Sequence, residues 1–216
     1  MKKIISFSLW GDNPIYTIGA IRNAELSKDI YPDWVCRYYI GKSSPKEIIE
    51  KLNSFDNTEV IEMESDGDWT GMFWRFYAAG DEDVDVVIVR DCDSRVNIRE
   101  KEAVDEWLNS DKGFHIMRDH PYHTTEILGG MWGSKKGVVS NIKNLIDTYV
   151  KGNFWQVDQN FLKEQIYPQI KNNCLVHDEF FEKKPFPSKR PKNLFVGQAF
   201  KENDDFLHIE HIKLIN

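Results

Sequence analysis

The sequence predicts an α/β fold: a single Rossmann-like domain over residues 1–216, with a mostly parallel central sheet flanked by helices. Short apolar runs alternate with segments whose apolar residues recur at helical spacing, an order typical of strand–helix–strand units. The runs are apolar throughout rather than alternating with polar residues, which indicates strands that are covered on both faces. A chain of this length suits one sizeable domain.

The first half of the chain carries the most regular part of this pattern. Residues 4–9 are an apolar run closed by a Gly-Asp-Asn-Pro turn, and residues 15–30 have apolar side chains at helical spacing. A Ser-Ser-Pro segment then predicts the start of a helix that continues to Leu52. The remaining elements predicted here are strands at 34–40, 58–63 and 84–89 and an aromatic helix at 71–79.

The second half is less regular. Its predicted elements are helices at 101–110, 136–149 and 155–167 and strands at 113–117 and 194–196. Between them lie a loop with a Gly-Gly pair, DHPYHTTEILGGMWG, and a proline-rich basic loop, KKPFPSKRPK. Because ligands of parallel sheets bind beyond the carboxyl ends of the strands, we expect the functional site at that edge.

The composition restricts the class of partner and the compartment. A net charge of −7 and a pI of about 5.4 argue against a general nucleic-acid or membrane-surface binder, because phosphate polymers attract basic faces. Three cysteines far apart in the chain fit neither a disulfide framework nor a paired-cysteine zinc site and favour a reducing compartment. The apolar N-terminal run is broken by Gly11, Asp12 and Pro14, so it predicts a core strand, and no run is long enough to span a bilayer. We therefore expect a cytoplasmic protein.

Two carboxylates follow an apolar run in the segment VVIVRDCDSR. In extended backbone Asp91 and Asp93 point to the same side, while Cys92 turns back into the fold. Two hard oxygen ligands with open positions suit Mg²⁺ or Mn²⁺, which takes further ligands from water and from a substrate's phosphates. The alternative is an ordinary turn in which Arg90 or Arg95 pairs with the acids.

Phosphatases of the haloacid-dehalogenase type also have Asp-x-Asp at a strand end, with the first Asp as nucleophile. Their motif lies on the first strand and continues to Thr or Val two residues past the second Asp. Here the pair lies deep in the chain and Arg95 holds that place. A phosphatase or phosphotransferase that uses Asp91 is therefore the weaker alternative.

Three segments carry a resemblance to a known family. The Asp-x-Asp after an apolar strand resembles that of the nucleotide-diphospho-sugar transferases of the GT-A fold. The segment WQVDQNFL at 155–162 resembles the W-x-x-D-Q-D-x-L-N box of the retaining enzymes that include glycogenin and bacterial lipopolysaccharide galactosyltransferases. The segment ILGGMWG at 127–133 resembles the small-residue segment that lets backbone approach the donor sugar. Two features depart from that family: Asn160 stands where the box has Asp, and the C-terminal H-x-x-G-x-x-K-P-W is absent.

The resemblance implies a metal-dependent, retaining glycosyltransferase with Mn²⁺ or Mg²⁺ as cofactor, a UDP-sugar as donor and a glycan as acceptor. It places sugar binding on Asp158 and a position beside the anomeric carbon on Gln159. The expected metal ligands are Asp91, Asp93 and, as a candidate third ligand, His208 or His211. The expected donor-binding residues are Ser8, Leu9, Trp10, Arg75, Asp91, Gly129 and Gly130.

A polar cluster follows the strand predicted at 113–117. We expect Arg118, Asp119 and His120 to bind sugar or acceptor, and a hydrogen-bonded structural loop is the alternative. The His120-x-x-His123 spacing alone does not predict a zinc site, because no cysteine or further ligand accompanies it. A different class of function also stays open: a domain that binds a nucleotide sugar without turning it over.

Overall fold

A seven-stranded sheet forms the centre of the computed structural model, which describes residues 1–215. In chain order the strands are β1 (Lys3–Leu9), β2 (Val35–Ile40), β3 (Thr58–Glu62), β4 (Val86–Val89), β5 (Phe114–Arg118), β6 (Trp132–Lys135) and β7 (Cys174–Asp178). They lie in the order β3-β2-β1-β4-β6-β5-β7, and β6 runs antiparallel to both of its neighbours while the other pairings are parallel. The predicted α/β fold with a mostly parallel central sheet is confirmed.

Helices cover both faces of this sheet. The α-helices are α1 (Pro14–Ile30), α2 (Lys46–Asn53), α3 (Ile98–Asn109), α4 (Ile142–Thr148), α5 (Val157–Phe161), α6 (Tyr167–Ile170) and α7 (Ile209–Ile212). A 3₁₀ helix covers Trp69–Gly80, and a π-helical turn, Leu162–Ile166, joins α5 to α6. Within residues 1–215, none of these helices has the length and apolar character needed to cross a bilayer.

The two larger of the three apolar clusters among the described residues lie between the sheet and its helices. One packs α1, α2 and α3 against one face and includes Phe7, Leu52 and Trp107. The other packs the 3₁₀ helix, α4 and α5 against the opposite face and includes Phe76 and Phe161. Fully burying one such side chain contributes roughly 1.5–3 kcal/mol. These two layers therefore hold the strand ends in fixed positions.

The register of the sheet places three chain segments at one edge. Strands β1 and β4 are parallel, with Ser6 opposite Val89, so their carboxyl ends meet. Strand β6 is antiparallel to β4, with Trp132 opposite Val89, so its amino end lies at the same edge. The residues after β1, the acidic segment after β4 and the Gly-Gly segment before β6 therefore converge there.

Several elements differ from those expected. The sequence pattern does not predict β6 and β7, because both are short and mix polar residues or glycine with apolar ones. No strand forms at 194–196, where Val196 donates its backbone N–H to the Asp119 carboxylate (3.0 Å) instead of to a neighbouring strand. The helix expected at 136–149 is reduced to α4, and the helix expected at 155–167 is divided between α5, the π-helical turn and the start of α6.

Candidate active site

A cavity of about 630 Å³ opens at this edge of the sheet. Its walls come from the end of β1, the 3₁₀ helix, the acidic segment, the Gly-Gly segment and the start of α5. The residues predicted for the site that line it are Ser8, Leu9, Trp10, Arg75, Asp91, Asp93, Gly129, Gly130, Asp158 and Gln159. Segments that are far apart in the chain thus meet in one cavity.

Arg75 joins the two sides of the cavity floor. Its Nη1 donates to Asp91 Oδ1, and its Nη2 donates to Asp158 Oδ2 at 2.7 Å. The Arg75 and Asp158 side chains are buried, whereas the Asp91 side chain is 43% exposed. Burial raises the pKa of Asp158, and the Arg75 guanidinium opposes that shift. The arginine is thus the positive group that offsets the desolvation of both acids.

Two serines of β1 fix the backbone of Arg75. Ser6 Oγ donates to the Arg75 carbonyl (2.6 Å), and the Arg75 backbone N–H donates to Ser8 Oγ (2.9 Å). Both serines are buried. The two hydroxyl groups thus form hydrogen bonds with both backbone groups of Arg75. These bonds explain why an otherwise apolar strand contains serines on the side that faces the 3₁₀ helix.

Gly129 and Gly130 allow the loop before β6 to lie directly against the carboxylates. A Cβ atom on Gly129 would lie closer than 3.0 Å to Asp158 Oδ2 and to Arg75 Nη2, and one on Gly130 would lie closer than 3.0 Å to Asp91 Oδ2. Since real Cβ atoms do not approach so closely, only glycine fits at these two positions without displacing the acids.

The arginines that flank the acidic pair do not bind its carboxylates. Arg90 donates to Glu100 Oε1 (2.8 Å), and Arg95 donates to Asp204 Oδ1 (2.9 Å). Within residues 1–215 neither forms an ion pair with the two aspartates of the pair. The segment does form a turn, in which the Ser94 backbone N–H donates to the Asp91 carbonyl (3.3 Å), but the expected pairing of the acids with a neighbouring arginine is absent from the described chain.

Asp93 has a different environment from Asp91. In the described part of the chain its carboxylate forms no ion pair and accepts no hydrogen bond from another side chain. Burial, followed by repulsion from Asp91, raises the pKa of Asp93 to about 7. Between the two acids, Cys92 points into the fold, where its Sγ donates to the Ser8 carbonyl (3.3 Å), as predicted.

The acidic pair fits a divalent cation. Asp93 offers both carboxylate oxygens, and Asp91 offers the oxygen that Arg75 does not bind. Hard oxygen ligands beside open space suit Mg²⁺ or Mn²⁺, which keeps waters and takes phosphate oxygens from a substrate. A cation at this place would also favour the ionised form of Asp93, because an opposite charge counteracts the desolvation that raises its pKa.

Arg118, Asp119 and His120 do not line the cavity. All three are buried and hydrogen-bonded within the fold. Asp119 accepts from Arg99 (3.0 and 3.1 Å) and from Arg190 (2.7 Å). Arg118 pairs with the carboxylate at the end of β7, and His120 Nε2 lies 3.0 Å from a backbone carbonyl of α7. Their geometry favours the structural loop over the sugar or acceptor site.

His208, the candidate third metal ligand, also lies outside the cavity lining. Its ligand atoms group with those of Glu210 and His211 near the end of the described chain. The structure therefore does not bring His208 to Asp91 and Asp93.

Three aromatic side chains of the cavity are partly exposed. They are Tyr16 at 42%, Trp69 at 43% and Trp155 at 65%. Single exposed aromatic side chains are common on protein surfaces, but these three border the same cavity. The cavity therefore has a rim that can stack on a sugar ring or a base.

Sequence reasoning missed several residues of the cavity. Tyr16 on α1 and Asp68 before the 3₁₀ helix line it. Both follow a strand of the parallel part of the sheet, and that position could have identified them. Gly197 and Ala199 reach the cavity from the C-terminal segment. No periodic pattern in the sequence indicates their place.

No protein-family model matches the sequence, and a search of curated proteins finds no match. Solved structures do match. A glycosyltransferase involved in the glycosylation of the major capsid of PBCV-1 has a TM-score of 0.58 and 15% identity, with 99% of each chain covered. TarS of S. aureus has a TM-score of 0.55 and 14% identity over 83% of this chain and 58% of that one, and its structure with UDP scores 0.54. The 4-diphosphocytidyl-2C-methyl-D-erythritol synthase of Anaerococcus prevotii has a TM-score of 0.51 and 9% identity over 88% and 93%.

At these identities, similarity establishes a fold and not a reaction. The TM-scores, all above 0.5, show that these structures share the overall fold of this chain, whose own sheet is mostly parallel and flanked by helices. The chain therefore has the GT-A fold of the nucleotide-sugar glycosyltransferases, as the resemblance of its sequence implies.

Proposed function

We propose that this protein is a metal-dependent glycosyltransferase that transfers a sugar from a nucleotide diphosphate donor, a UDP-sugar, to a carbohydrate acceptor. The observation that carries the proposal is the acidic pair. Asp91 is held by Arg75 while the Asp93 carboxylate is unpaired within residues 1–215, and both face a cavity at the carboxyl ends of parallel strands. The structure of TarS with UDP, a protein of the same fold, supports uridine diphosphate as the leaving group.

Asp93 and the free oxygen of Asp91 would hold Mn²⁺ or Mg²⁺. When bound, such a cation neutralises the diphosphate that departs from the sugar, so little acid catalysis is needed. Asp91 keeps its position on binding because Arg75 already fixes it.

The structure changes the role that we assign to Arg75. The sequence favours it as the cation that binds the donor, yet its buried guanidinium is bound by two carboxylates. A charge that is already compensated attracts a diphosphate only weakly. We infer that Arg75 is a positioning residue: its planar fork fixes Asp91, on the metal side, relative to Asp158, on the sugar side.

Asp158 and Gln159 lie at the start of α5 and line the cavity. Asp158 Oδ1 accepts the Gln159 backbone N–H (2.9 Å), and Oδ2 accepts from Arg75, so both oxygens are oriented. We assign the binding of sugar hydroxyls to Asp158 and a position beside the anomeric carbon to Gln159. Transfer with these residues is expected to retain the anomeric configuration, which NMR of the first product distinguishes from inversion.

The central test measures release of UDP from a panel of UDP-sugars with and without Mn²⁺. We expect turnover by the wild type with Mn²⁺, its loss in EDTA, and a fall of about 100-fold or more in Asp93→Asn, the scale of losing one electrostatic stabiliser. Asp111→Asn is the matched control, because that carboxylate is 85% exposed and outside the cavity lining. Unchanged turnover in Asp93→Asn would remove the proposal.

Two further assays distinguish this proposal from a non-catalytic binding domain and from a phosphotransferase. Calorimetric binding of UDP without turnover of any UDP-sugar would indicate a non-catalytic nucleotide-sugar-binding domain. Hydrolysis of simple phosphate esters that is lost in Asp91→Asn would indicate a phosphotransferase with Asp91 as nucleophile. The geometry disfavours that nucleophile, because Arg75 donates to one of its oxygens and fixes the carboxylate beside a buried cation, which lowers its nucleophilicity.

A further inference from the structure

A second group of metal-ligating side chains lies outside the cavity, near the end of the described chain. The ligand atoms of His208, Glu210 and His211 all lie within 4.8 Å of one another. His208 Nδ1 is 3.2 Å from Glu210 Oε1, and the two imidazole rings stack with centroids 4.7 Å apart. We propose that these three residues bind a divalent transition-metal ion such as Zn²⁺, at a site separate from the acidic pair.

The turn of α7 creates this arrangement. His208 is the residue before the helix and His211 follows three positions later, so both side chains leave the same face of the turn. The backbone N–H of His211 donates to the His208 carbonyl (3.1 Å), which fixes the distance between the two. The Glu210 carboxylate reaches back to His208 and completes the group.

The loop after β5 holds the His211 ring in place. His120 and Tyr122 each pack against that ring with centroids 5.1 Å away, and His120 Nε2 bonds the His211 carbonyl (3.0 Å). A ligand that is already oriented loses less freedom when the metal binds. His120 itself is a support and not a ligand, because its Nδ1 also accepts the Tyr122 backbone N–H (3.1 Å).

The ligand atoms are available to an ion. Within residues 1–215, neither ring nitrogen of His211 takes part in a hydrogen bond. His208 uses only Nδ1, and its partner there is the Glu210 that would share the metal. His208 and Glu210 are exposed and His211 is half-buried, so entry of an ion requires no opening of the fold.

The ligand chemistry distinguishes this group from the cavity. Two imidazoles and one carboxylate suit Zn²⁺, and three protein ligands leave the fourth tetrahedral position to water. The acidic pair Asp91 and Asp93 offers oxygen ligands only, which suit Mg²⁺ or Mn²⁺. The two sites should therefore select different metals.

The segment that carries this group also borders the cavity. Gly197 and Ala199 line the cavity, and the Phe200 backbone N–H donates to the Asp93 carbonyl (2.8 Å). Zn²⁺ bound at α7, against the loop after β5, would anchor this segment to the body of the protein. The expected effect of the ion is therefore on stability.

The experiment is a calorimetric titration with ZnCl₂ in excess Mg²⁺, with thermal unfolding as a second readout. We expect one Zn²⁺ per chain for the wild type and a higher Tm in its presence. His208→Ala and His211→Ala should each weaken Zn²⁺ binding by about tenfold or more. Removing only the hydrogen-bond partner of a metal ligand already weakens binding by about 10- to 100-fold, so removing the ligand itself should cost at least as much. Glu210→Gln, which keeps the shape of the side chain, should weaken it less. Circular dichroism verifies that each variant is folded.

Asp93→Asn separates this inference from the proposed function. Unchanged Zn²⁺ binding in Asp93→Asn, with loss in His208→Ala, supports the second site whether or not the protein transfers sugar. Equal Zn²⁺ affinity in the wild type, His208→Ala and His211→Ala would overturn it, as would the absence of stoichiometric binding by the wild type. Loss of Zn²⁺ binding in Asp93→Asn would also overturn it, because the ion would then occupy the cavity.

Discussion

Arg75 and Asp158, which are 83 residues apart in the chain, are joined by a hydrogen bond of 2.7 Å at the floor of the cavity. The same guanidinium donates to Asp91. One buried cation thus sets the spacing of two carboxylates to which we assign different ligands, the metal and the sugar. Its removal should affect stability and turnover together, and the two effects can be separated.

Arg75→Met removes the cation and leaves the Asp158 carboxylate buried without the charge that compensates it. We expect the free energy of unfolding to fall by about 3–5 kcal/mol, the cost of breaking a buried pair from one side, and sugar transfer to be lost. Urea denaturation and the UDP-release assay measure these effects. The double variant Arg75→Met/Asp158→Asn should recover stability without activity. A double variant no more stable than Arg75→Met would contradict the pairing.

Gly130→Ala adds a methyl group that collides with the Asp91 carboxylate. We expect turnover to fall by about 100-fold, because a small displacement of a positioning group has effects of this size. Gly80→Ala is the control, since its Cβ would meet the Ile142 side chain at 3.2 Å and lies outside the cavity lining. Similar losses of turnover in the two variants would argue against a specific effect at Asp91.

Trp155→Ala tests the aromatic rim. Because this side chain is 65% exposed, the free energy of unfolding should change by no more than about 0.5 kcal/mol. Stacking of a base on an aromatic side chain contributes about 1–3 kcal/mol, so a comparable contact here should raise the KM for donor or acceptor by roughly 5- to 150-fold when it is removed. Val150→Ala, at a nearby position that is 91% exposed, is the control. Unchanged KM values for both substrates would exclude Trp155 from binding.

Asp119→Asn distinguishes a structural role from acceptor binding. Asp119 is fully buried and accepts hydrogen bonds from Arg99 and Arg190. Neutralising it leaves Arg99 with Glu179 (2.7 Å) as its carboxylate partner and removes the Asp119 charge from Arg190, so we expect a loss of about 3 kcal/mol in unfolding free energy. A variant with wild-type stability and a raised KM for acceptor would instead restore Asp119 to the acceptor site.

The buried pair of His115 and His177 predicts the pH dependence of stability. His115 Nε2 and His177 Nδ1 are 2.8 Å apart. Burial lowers the pKa of both rings below the ordinary value of 6.5, and the neighbouring ring lowers that of His115 further. These two histidines therefore bind protons more readily in the unfolded chain than in the folded one. Their contribution to the free energy of unfolding is complete above about pH 6.5 and is lost as the pH falls below that value.

The measurement is urea denaturation at about pH 7.5 and about pH 5.5, on either side of the ordinary histidine pKa. The raised pKa of Asp93 acts in the opposite sense over this range. The comparison therefore uses Asp93→Asn, for which we expect a lower midpoint at the acid pH, with the histidine substitution introduced into the same variant. His115→Phe removes one titrating ring while keeping an aromatic group against Trp107, whose ring stacks on His115 at 5.3 Å. Its midpoint should depend less on pH, and an equal dependence would show that another group is responsible.

The regular half of the fold could be predicted because its apolar periodicity is strong. The limits of β1, α1 and β2 agree with the expected ones to within one residue. The position of Asp91 and Asp93 followed from the rule that ligands bind at the carboxyl ends of parallel strands, and the structure places both in the cavity. Strands β6 and β7 lack that periodicity, and their pairing depends on contacts between distant segments.

The partner of Asp91 could not be predicted for a related reason. Arg90 and Arg95 are its neighbours in sequence, but the hydrogen bonds of Ser6 and Ser8 place Arg75 beside it instead. Local sequence does not report such long-range geometry. The sequence also could not decide the role of Arg118, Asp119 and His120. Charged and polar residues after a strand are typical both of a ligand site and of a buried network of ion pairs, because both need groups that compensate charge.

During synthesis on the ribosome, the acidic segment after β4 emerges long before the C-terminal segment that forms hydrogen bonds with it. Asp204 accepts a hydrogen bond from Arg95 and lies 109 residues after that arginine. Phe200, in the same C-terminal segment, donates its backbone N–H to the Asp93 carbonyl. A nascent chain arrested before this segment contains the residues of all seven strands and of α1–α6. It lacks the residues that form hydrogen bonds with Arg95 and with the Asp93 carbonyl. Premature termination there would yield a chain whose acidic segment lacks these two contacts.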